Sequence, residues 1–222
     1  MAVHPRTEVS IPADGVLVEG ELTTPDGAVG MVAFAHGSGS SRHSPRNRRV
    51  AEALNRAGLA TLLFDLLEPS EEEIDRRTGE LRFDIELLGR RLIAAIDWLA
   101  VTEETAELAI GCFGASTGAA AALVAAAARP HAVKAVVSRG GRPDLAGAAL
   151  PAVTAPTLLI IGGDDDVVLE LNRRARAQLR CEAVLEIVPG ASHLFEEPGA
   201  LERVELLGRT WFLRWLEGPA EP

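Results

Sequence analysis

Five residues, Gly114-Ala115-Ser116-Thr117-Gly118, constrain this chain more than any other stretch. They stand between an apolar run, Leu108 to Phe113, and an alanine-rich run, Ala119 to Ala128. Strand, G-x-S-x-G and helix, in that order, predict a sharp turn that holds a serine hydroxyl above the end of a sheet. A Cβ at either flanking position would crowd the turn, so glycine is required at both.

The rest of the chain supplies the sheet that such a turn needs. Thr7 to Ile11 and Val16 to Leu22 alternate polar with apolar residues around Pro12-Ala13-Asp14-Gly15, the pattern of a hairpin. Val29 to Ala35 and Leu59 to Phe64 are continuous apolar runs, expected of strands buried on both faces. Further strands are expected at Ala132 to Val137, Thr157 to Ile161 and Ala183 to Val188. Helical spacing marks Arg46 to Ala57, Ile85 to Leu99, Val168 to Leu179 and Leu201 to Leu216. Pro69 to Phe83 reads as acidic and irregular, and Arg139 to Pro156 as a Gly/Pro-rich loop. Strands and helices alternating at this spacing imply an α/β fold, a mostly parallel sheet with helices on both faces. With no linker, repeat or low-complexity tail, a single domain over 1–222 is expected.

A net charge of −10 disfavours nucleic acid as a partner, because phosphate backbones demand basic surfaces. No apolar run reaches the length of a membrane span, and the opening Met1 to Arg6 has no apolar core of a secretory signal. A cytoplasmic address is the resulting expectation. Two cysteines are too few for a disulfide framework or a metal cage, and no cluster has zinc-ligand spacing. Cys112 reads as a buried thiol and Cys181 as packed or at an edge. Trp98, Trp211 and Trp215 fall in helical patterns and read as packing residues. Oligomeric state is not legible.

A serine hydroxyl needs a base to take its proton, and the base is usually a histidine oriented by a carboxylate. Catalytic groups of such sheets gather at the carboxyl ends of the strands. His193, in Gly190-Ala191-Ser192-His193 just after the last strand, meets that requirement; His4 lies in the terminal arm and His131 beyond the elbow helix. The acid is expected from Asp164-Asp165-Asp166, after the penultimate strand, giving the order Ser, Asp, His. Asp165 is favoured, with Asp164 in the turn and Asp166 at the start of the next helix, where its charge suits the dipole. Asp144 is a substitute acid, and Asp65 more simply holds a strand end. An oxyanion hole would take the N–H of Thr117 and a second donor from an earlier loop. His36-Gly37-Ser38-Gly39-Ser40 follows an apolar strand directly, and points to the N–H of Ser38.

On His36-Gly37-Ser38-Gly39, Gly114 to Gly118, Gly162-Gly163 leading to Asp165, and Pro189 to His193, the chain resembles the α/β-hydrolase superfamily, and within it the dienelactone-hydrolase-like group. The resemblance covers essentially the whole chain. It implies a mainly parallel sheet of about eight strands without a large cap domain, and a triad of Ser116, Asp165 and His193. The namesake enzymes carry cysteine at the elbow where this chain carries serine, so the resemblance implies ester hydrolysis in general. A small soluble carboxylic ester would be the substrate, cleaved through an acyl-enzyme on Ser116, with no cofactor. The same triad could instead serve a thioester, amide, lactone or organophosphate, and a silent binding fold is the alternative from another class. Arg42, His43, Arg46 and Arg139 could hold a substrate anion, or be solvated or paired. The acidic segment 68–80 could form a small flap.

Overall fold

Asp14 and Gly15 both take positive φ, 50° and 84°, as a two-residue hairpin turn demands. That turn joins β1 (Arg6–Ala13) to β2 (Val16–Thr23) as antiparallel neighbours, Ala13 opposite Val16. The structure, a computed structural model, describes residues 5–217. Met1 to His4, with them the first residues of the opening segment, lie outside the described residues.

β3 (Gly30–Ala35), β4 (Leu59–Phe64), β5 (Ile110–Ala115) and β7 (Thr157–Gly162) are buried at every residue. This is what a parallel strand covered on both faces requires of its sequence. With β6 (Val133–Arg139) and β8 (Ala183–Val188) they form one eight-stranded sheet in the order β1-β2-β4-β3-β5-β6-β7-β8. β1–β2 and β2–β4 pair antiparallel; all other neighbours are parallel.

Alternate residues of each strand feed two cores. On one face Met31, Ala33 and Val136 pack with α3 (Ile85–Leu99), α4 (Thr117–Ala128) and the end of α5 (Asp166–Arg176). On the other, Val32, Phe34, Phe113 and Val137 pack with α1 (Pro45–Asn55) and α6 (Ala200–Leu216). The alanines of α4 bring its backbone against the sheet, and nine of its twelve residues are buried. Across β3 and β5, the Phe34 and Phe113 rings lie 4.9 Å apart. Such a pair contributes about 0.5–1.5 kcal/mol beyond area burial, and it fixes the two strands whose ends carry the Ser38 loop and Ser116. The Trp211 side chain is buried, with Nε1–H donating to Pro156 O at 3.4 Å, as a packing role predicts.

Two segments depart from the sequence expectation. Pro69 to Phe83 is not irregular: it forms α2 (Pro69–Thr78) and a 3-10 turn, Leu81–Phe83. Its acidic residues Glu71 and Glu72 occupy the first turn and Arg76 and Arg77 the last, each where the helix dipole favours its sign. Glu68 N–H donates to Glu71 Oε2 at 3.0 Å, Pro69 opens the helix, and Gly79 ends it at φ 71°. Periodicity missed this helix because Ile74 is its one large apolar residue. Instead of an apolar stripe, charges tie it down: the buried Arg91 donates to Glu71 at 2.6 Å and also to Ala13 O. The second departure is Pro143–Ala152, expected as loop, which forms 3-10 turns kinked at Gly147.

Candidate active site

Ser116 sits between the end of β5 and the start of α4 with φ 51° and ψ −120°. A non-glycine residue held there costs about 1–3 kcal/mol, and the surroundings must enforce it. They do so by contact. A Cβ at position 114 would lie 2.4 Å from Ala119 Cα, and one at 118 would lie 2.2 Å from Ala35 O. The two glycines therefore let α4 start directly against β5 and the end of β3. Ser116 N–H donates to Arg139 O (3.3 Å), and Ser116 O accepts from Arg142 N–H (3.0 Å).

Asp165 and His193 meet at the carboxyl ends of β7 and β8: His193 Nδ1 lies 2.7 Å from Asp165 Oδ2. Asp165 also caps α5, its Oδ1 accepting from Val168 N–H at 3.4 Å. It is half-buried, whereas Asp164 and Asp166 are exposed, in the turn and at the first residue of α5. Asp144 is engaged by Arg142 through two hydrogen bonds of 2.8 and 2.9 Å. Asp65, as expected, holds a strand end: it accepts from Arg42 N–H (2.7 Å) and from the Arg42 guanidinium.

Gly140 brings the histidine loop to the serine. It follows Arg139, the Ser116 acceptor, and a Cβ at 140 would stand 3.0 Å from His193 O and 3.6 Å from His193 Cε1. Among the described residues no hydrogen bond joins Ser116 Oγ to His193. Nδ1 is taken by Asp165, which leaves Nε2 as the nitrogen that can serve a hydroxyl.

The loop after β3 lies on the other side of Ser116. A Cβ at Gly37 would be 3.0 Å from Ser116 Cβ, and Ser38 Oγ is 3.3 Å from Thr117 Oγ1. Thr117 N–H belongs to the first turn of α4 and has no intrahelical acceptor. Sequence reasoning assigned His36 no role of its own. Its ring is buried, accepts from Leu66 N–H at Nε2 (3.0 Å) and lies 3.0 Å from Gly37 O at Nδ1. Because Nε2 accepts, Nδ1 carries the proton and donates to Gly37, which braces the loop that presents Ser38. Burial pushes this imidazole below its ordinary value of 6.5, against smaller opposing effects of the Gly37 hydrogen bond and Asp65. A neutral His36 therefore stabilises the fold in full above 6.5. That contribution is lost as pH falls through 6.5 towards the lowered folded value. We expect the melting temperature to fall between pH 7.5 and 5.5 more in the wild type than in His36→Gln, by roughly 2–4 °C per kcal/mol of linked stability. Thermal melts at the two pH values measure it.

A cleft of about 420 Å³ opens beside Ser38 and Thr117. Of the four side chains expected to hold a substrate anion, only His43 lines it. Arg42 is spent on Asp65, and Arg46 pairs with Glu196 at 3.0 Å. Arg139 is buried under the histidine loop, 5.8 Å over the Phe195 ring and 3.3 Å from Asn47 Oδ1. Burial, and secondarily the charge of Arg46, lowers it to about 10. The segment considered as a flap does reach the cleft: Glu72, Asp75 and Arg76 of α2, and Arg82 of the following turn, form its wall. Sequence reading missed all four, since nothing in a polar helix marks which face meets a cleft. Burial, then the charge of Asp65, raises the Glu72 carboxyl. Cys112, fully buried, is pushed up to about 12 and is inert as a thiolate. Among the described residues no group of three or more potential ligands could hold a metal, and no helix is long and apolar enough to cross a membrane.

Comparison with known proteins places this chain and its fold among relatives. The dienelactone hydrolase family model matches residues 18–205. Dienelactone hydrolase from Anabaena variabilis, a crystal structure, is 59% identical with a TM-score of 0.94, over 96% of this chain and 99% of that one. A dienelactone hydrolase-like promiscuous phosphotriesterase from metagenomic libraries shares the fold, with a TM-score of 0.79 at 17% identity, over 97% and 100% of the two chains. A Mycobacterium tuberculosis protein provisionally named a phosphoribosyl transferase is 60% identical over 212 residues, which is 96% of this chain and 47% of that protein. The chain thus spans about half the length of the curated relatives it matches.

Proposed function

The chain belongs to the dienelactone hydrolase family, and from that premise we propose that it is a serine hydrolase of small soluble carboxylic esters. Ser116 Oγ attacks the ester carbonyl while His193 Nε2 takes the hydroxyl proton. The new bond joins Ser116 to the acyl carbon, and the tetrahedral oxyanion rests on the N–H groups of Ser38 and Thr117. Collapse breaks the bond to the alcohol, which receives the proton from His193. Water then repeats the sequence in reverse and releases the acid. Asp165 fixes the imidazole tautomer through Nδ1 and stabilises its charged form.

The observation that carries this reading is the convergence of a strained Ser116 with an Asp165–His193 pair at 2.7 Å on the same rim of the sheet. Strain at a non-glycine residue persists only where the surroundings over-determine it, and here it raises a nucleophilic hydroxyl out of the sheet. The provisional name of the mycobacterial relatives belongs to proteins of which this chain matches under half. We assign phosphoribosyl transfer no residue here, because a hydroxyl with a base and an acid serves acyl transfer.

A panel on purified protein tests the bond type: 4-nitrophenyl acetate and butyrate, a matched thioester, an anilide, a lactone and a phosphotriester. The oxygen esters should be cleaved fastest, with a burst approaching one equivalent if deacylation limits turnover. Faster cleavage of any other member would replace the ester assignment, and inertness towards all of them would favour a silent fold.

A further inference from the structure

We propose that the Ser38 hydroxyl is a third donor of the oxyanion hole, oriented for that task by the hydroxyl of Thr117. This rests on the ester-hydrolase reading above.

The backbone of these two residues is already prepared for an anion. Among the described residues, the N–H groups of Ser38 and Thr117 donate to no acceptor. Thr117 opens α4, so no helical carbonyl one turn earlier can receive its N–H. Ser38 stands in the loop after β3, held so close that a Cβ on Gly37 would lie 3.0 Å from Ser116 Cβ. Two unspent N–H groups beside a nucleophile are what a developing oxyanion requires.

A proton count shows what the side chains add. Ser38 Oγ lies 3.3 Å from Thr117 Oγ1, a hydrogen bond between residues 79 positions apart. Each hydroxyl carries one proton and two lone pairs, so their mutual bond uses one proton and leaves the other. Among the described residues neither hydroxyl has a second hydrogen-bond partner. The direction of the bond decides which oxygen keeps the spare proton. Thr117 is buried, at 2% exposure, while Ser38 is half-buried, and both line the cleft. A spare proton on Thr117 would be a buried donor without an acceptor, which is costly. Donation from Thr117 to Ser38 avoids that cost and leaves the free O–H on Ser38, where solvent reaches it between turnovers.

The bond joins the two residues whose N–H groups bracket the oxyanion, so the spare proton is carried at the hole itself. A ground-state ester carbonyl accepts only weakly, whereas the tetrahedral oxyanion is a charged acceptor. The hydrogen bond from Ser38 therefore strengthens as Ser116 Oγ bonds to the carbonyl carbon, which is where it accelerates the reaction. The proton stays on Ser38 throughout, and the bond broken is the ester. Thr117 acts through Ser38 and is a positioning residue; the Ser38 hydroxyl meets the reacting atoms. His36, donating to Gly37 O at 3.0 Å, braces the same loop from below.

The test measures kcat and KM for 4-nitrophenyl butyrate on the wild type, Ser38→Ala, Thr117→Val and the double variant, with thermal melts alongside. Ser38→Ala keeps the backbone N–H and should lower kcat about 100-fold, the scale of one oxyanion donor, with KM nearly unchanged. Thr117→Val should lower kcat less. The double variant should be no slower than Ser38→Ala, because both changes remove one function. A kcat in Ser38→Ala within about threefold of wild type, or a loss confined to KM, would overturn the proposal. Losses that multiply in the double variant would do the same. Labelling of Ser116 by a fluorophosphonate keeps the two readings apart, since it needs the triad and places a phosphoryl oxygen in the hole. A labelling rate about 100-fold lower in Ser38→Ala supports the third donor even if every ester is inert. Equal labelling of wild type and Ser38→Ala refutes it and leaves the ester reading standing. An unlabelled wild type removes both.

Discussion

Replacing Ser116 by alanine should reduce hydrolysis of 4-nitrophenyl butyrate by roughly 10⁴-fold or more, as loss of the nucleophile does in enzymes whose triad acts as a unit. The fold should survive. Alanine keeps the Cβ that faces Gly37 and removes only a hydroxyl, so the loss is chemical. The backbone at φ 51° is strained for alanine as for serine, and melting temperatures should agree within a few degrees. Steady-state rates with matched melts check both parts. Retention of more than a tenth of the activity would remove Ser116 as the nucleophile.

The second large effect separates three neighbouring aspartates. Asp165→Asn should lower kcat by about 10⁴-fold, because an amide donor facing His193 Nδ1 favours the wrong tautomer. Asparagine is as good an N-cap as aspartate, so the Asp165 cap on Val168 N–H is kept and α5 should not unwind. Asp164→Asn and Asp166→Asn should stay within about threefold of wild type, since both side chains are exposed and neither meets the histidine. Three kcat values at one pH decide it. A comparable loss in Asp164→Asn with little in Asp165→Asn would move the acid by one residue.

The sheet was legible because parallel strands announce themselves. β4 runs where a continuous apolar run placed it, β8 spans the expected Ala183 to Val188, and the hairpin turns at Asp14-Gly15. Ser116 was legible for a local reason: only glycine fits where a Cβ would strike Ala119 or Ala35. Asp165 was favoured among three because Asp164 suits the turn and Asp166 the helix start, and its Oδ2 lies 2.7 Å from His193 Nδ1. Local signals failed where tertiary charge did the work. α2 has no apolar stripe and is held by Arg91. The guanidiniums placed by sequence at the pocket mouth were lost to Asp65, Glu196 and burial. The arginines that do line the cleft, Arg76 on α2 and Arg82 on the turn after it, stand in a segment read as irregular, so reach and partnering, which sequence spacing does not encode, decided the outcome.

On the proposed mechanism Ser116 is activated by His193 and Asp165, although both lie far from it in sequence. The most direct measurement of that activation is peptide mapping by mass spectrometry after treatment with a fluorophosphonate, on wild type, Ser116→Ala and Asp165→Asn. One adduct per chain at Ser116 is expected, absent in Ser116→Ala and formed at least a hundredfold more slowly in Asp165→Asn. An adduct on another residue, or equal labelling rates with and without the Asp165 carboxylate, would contradict it.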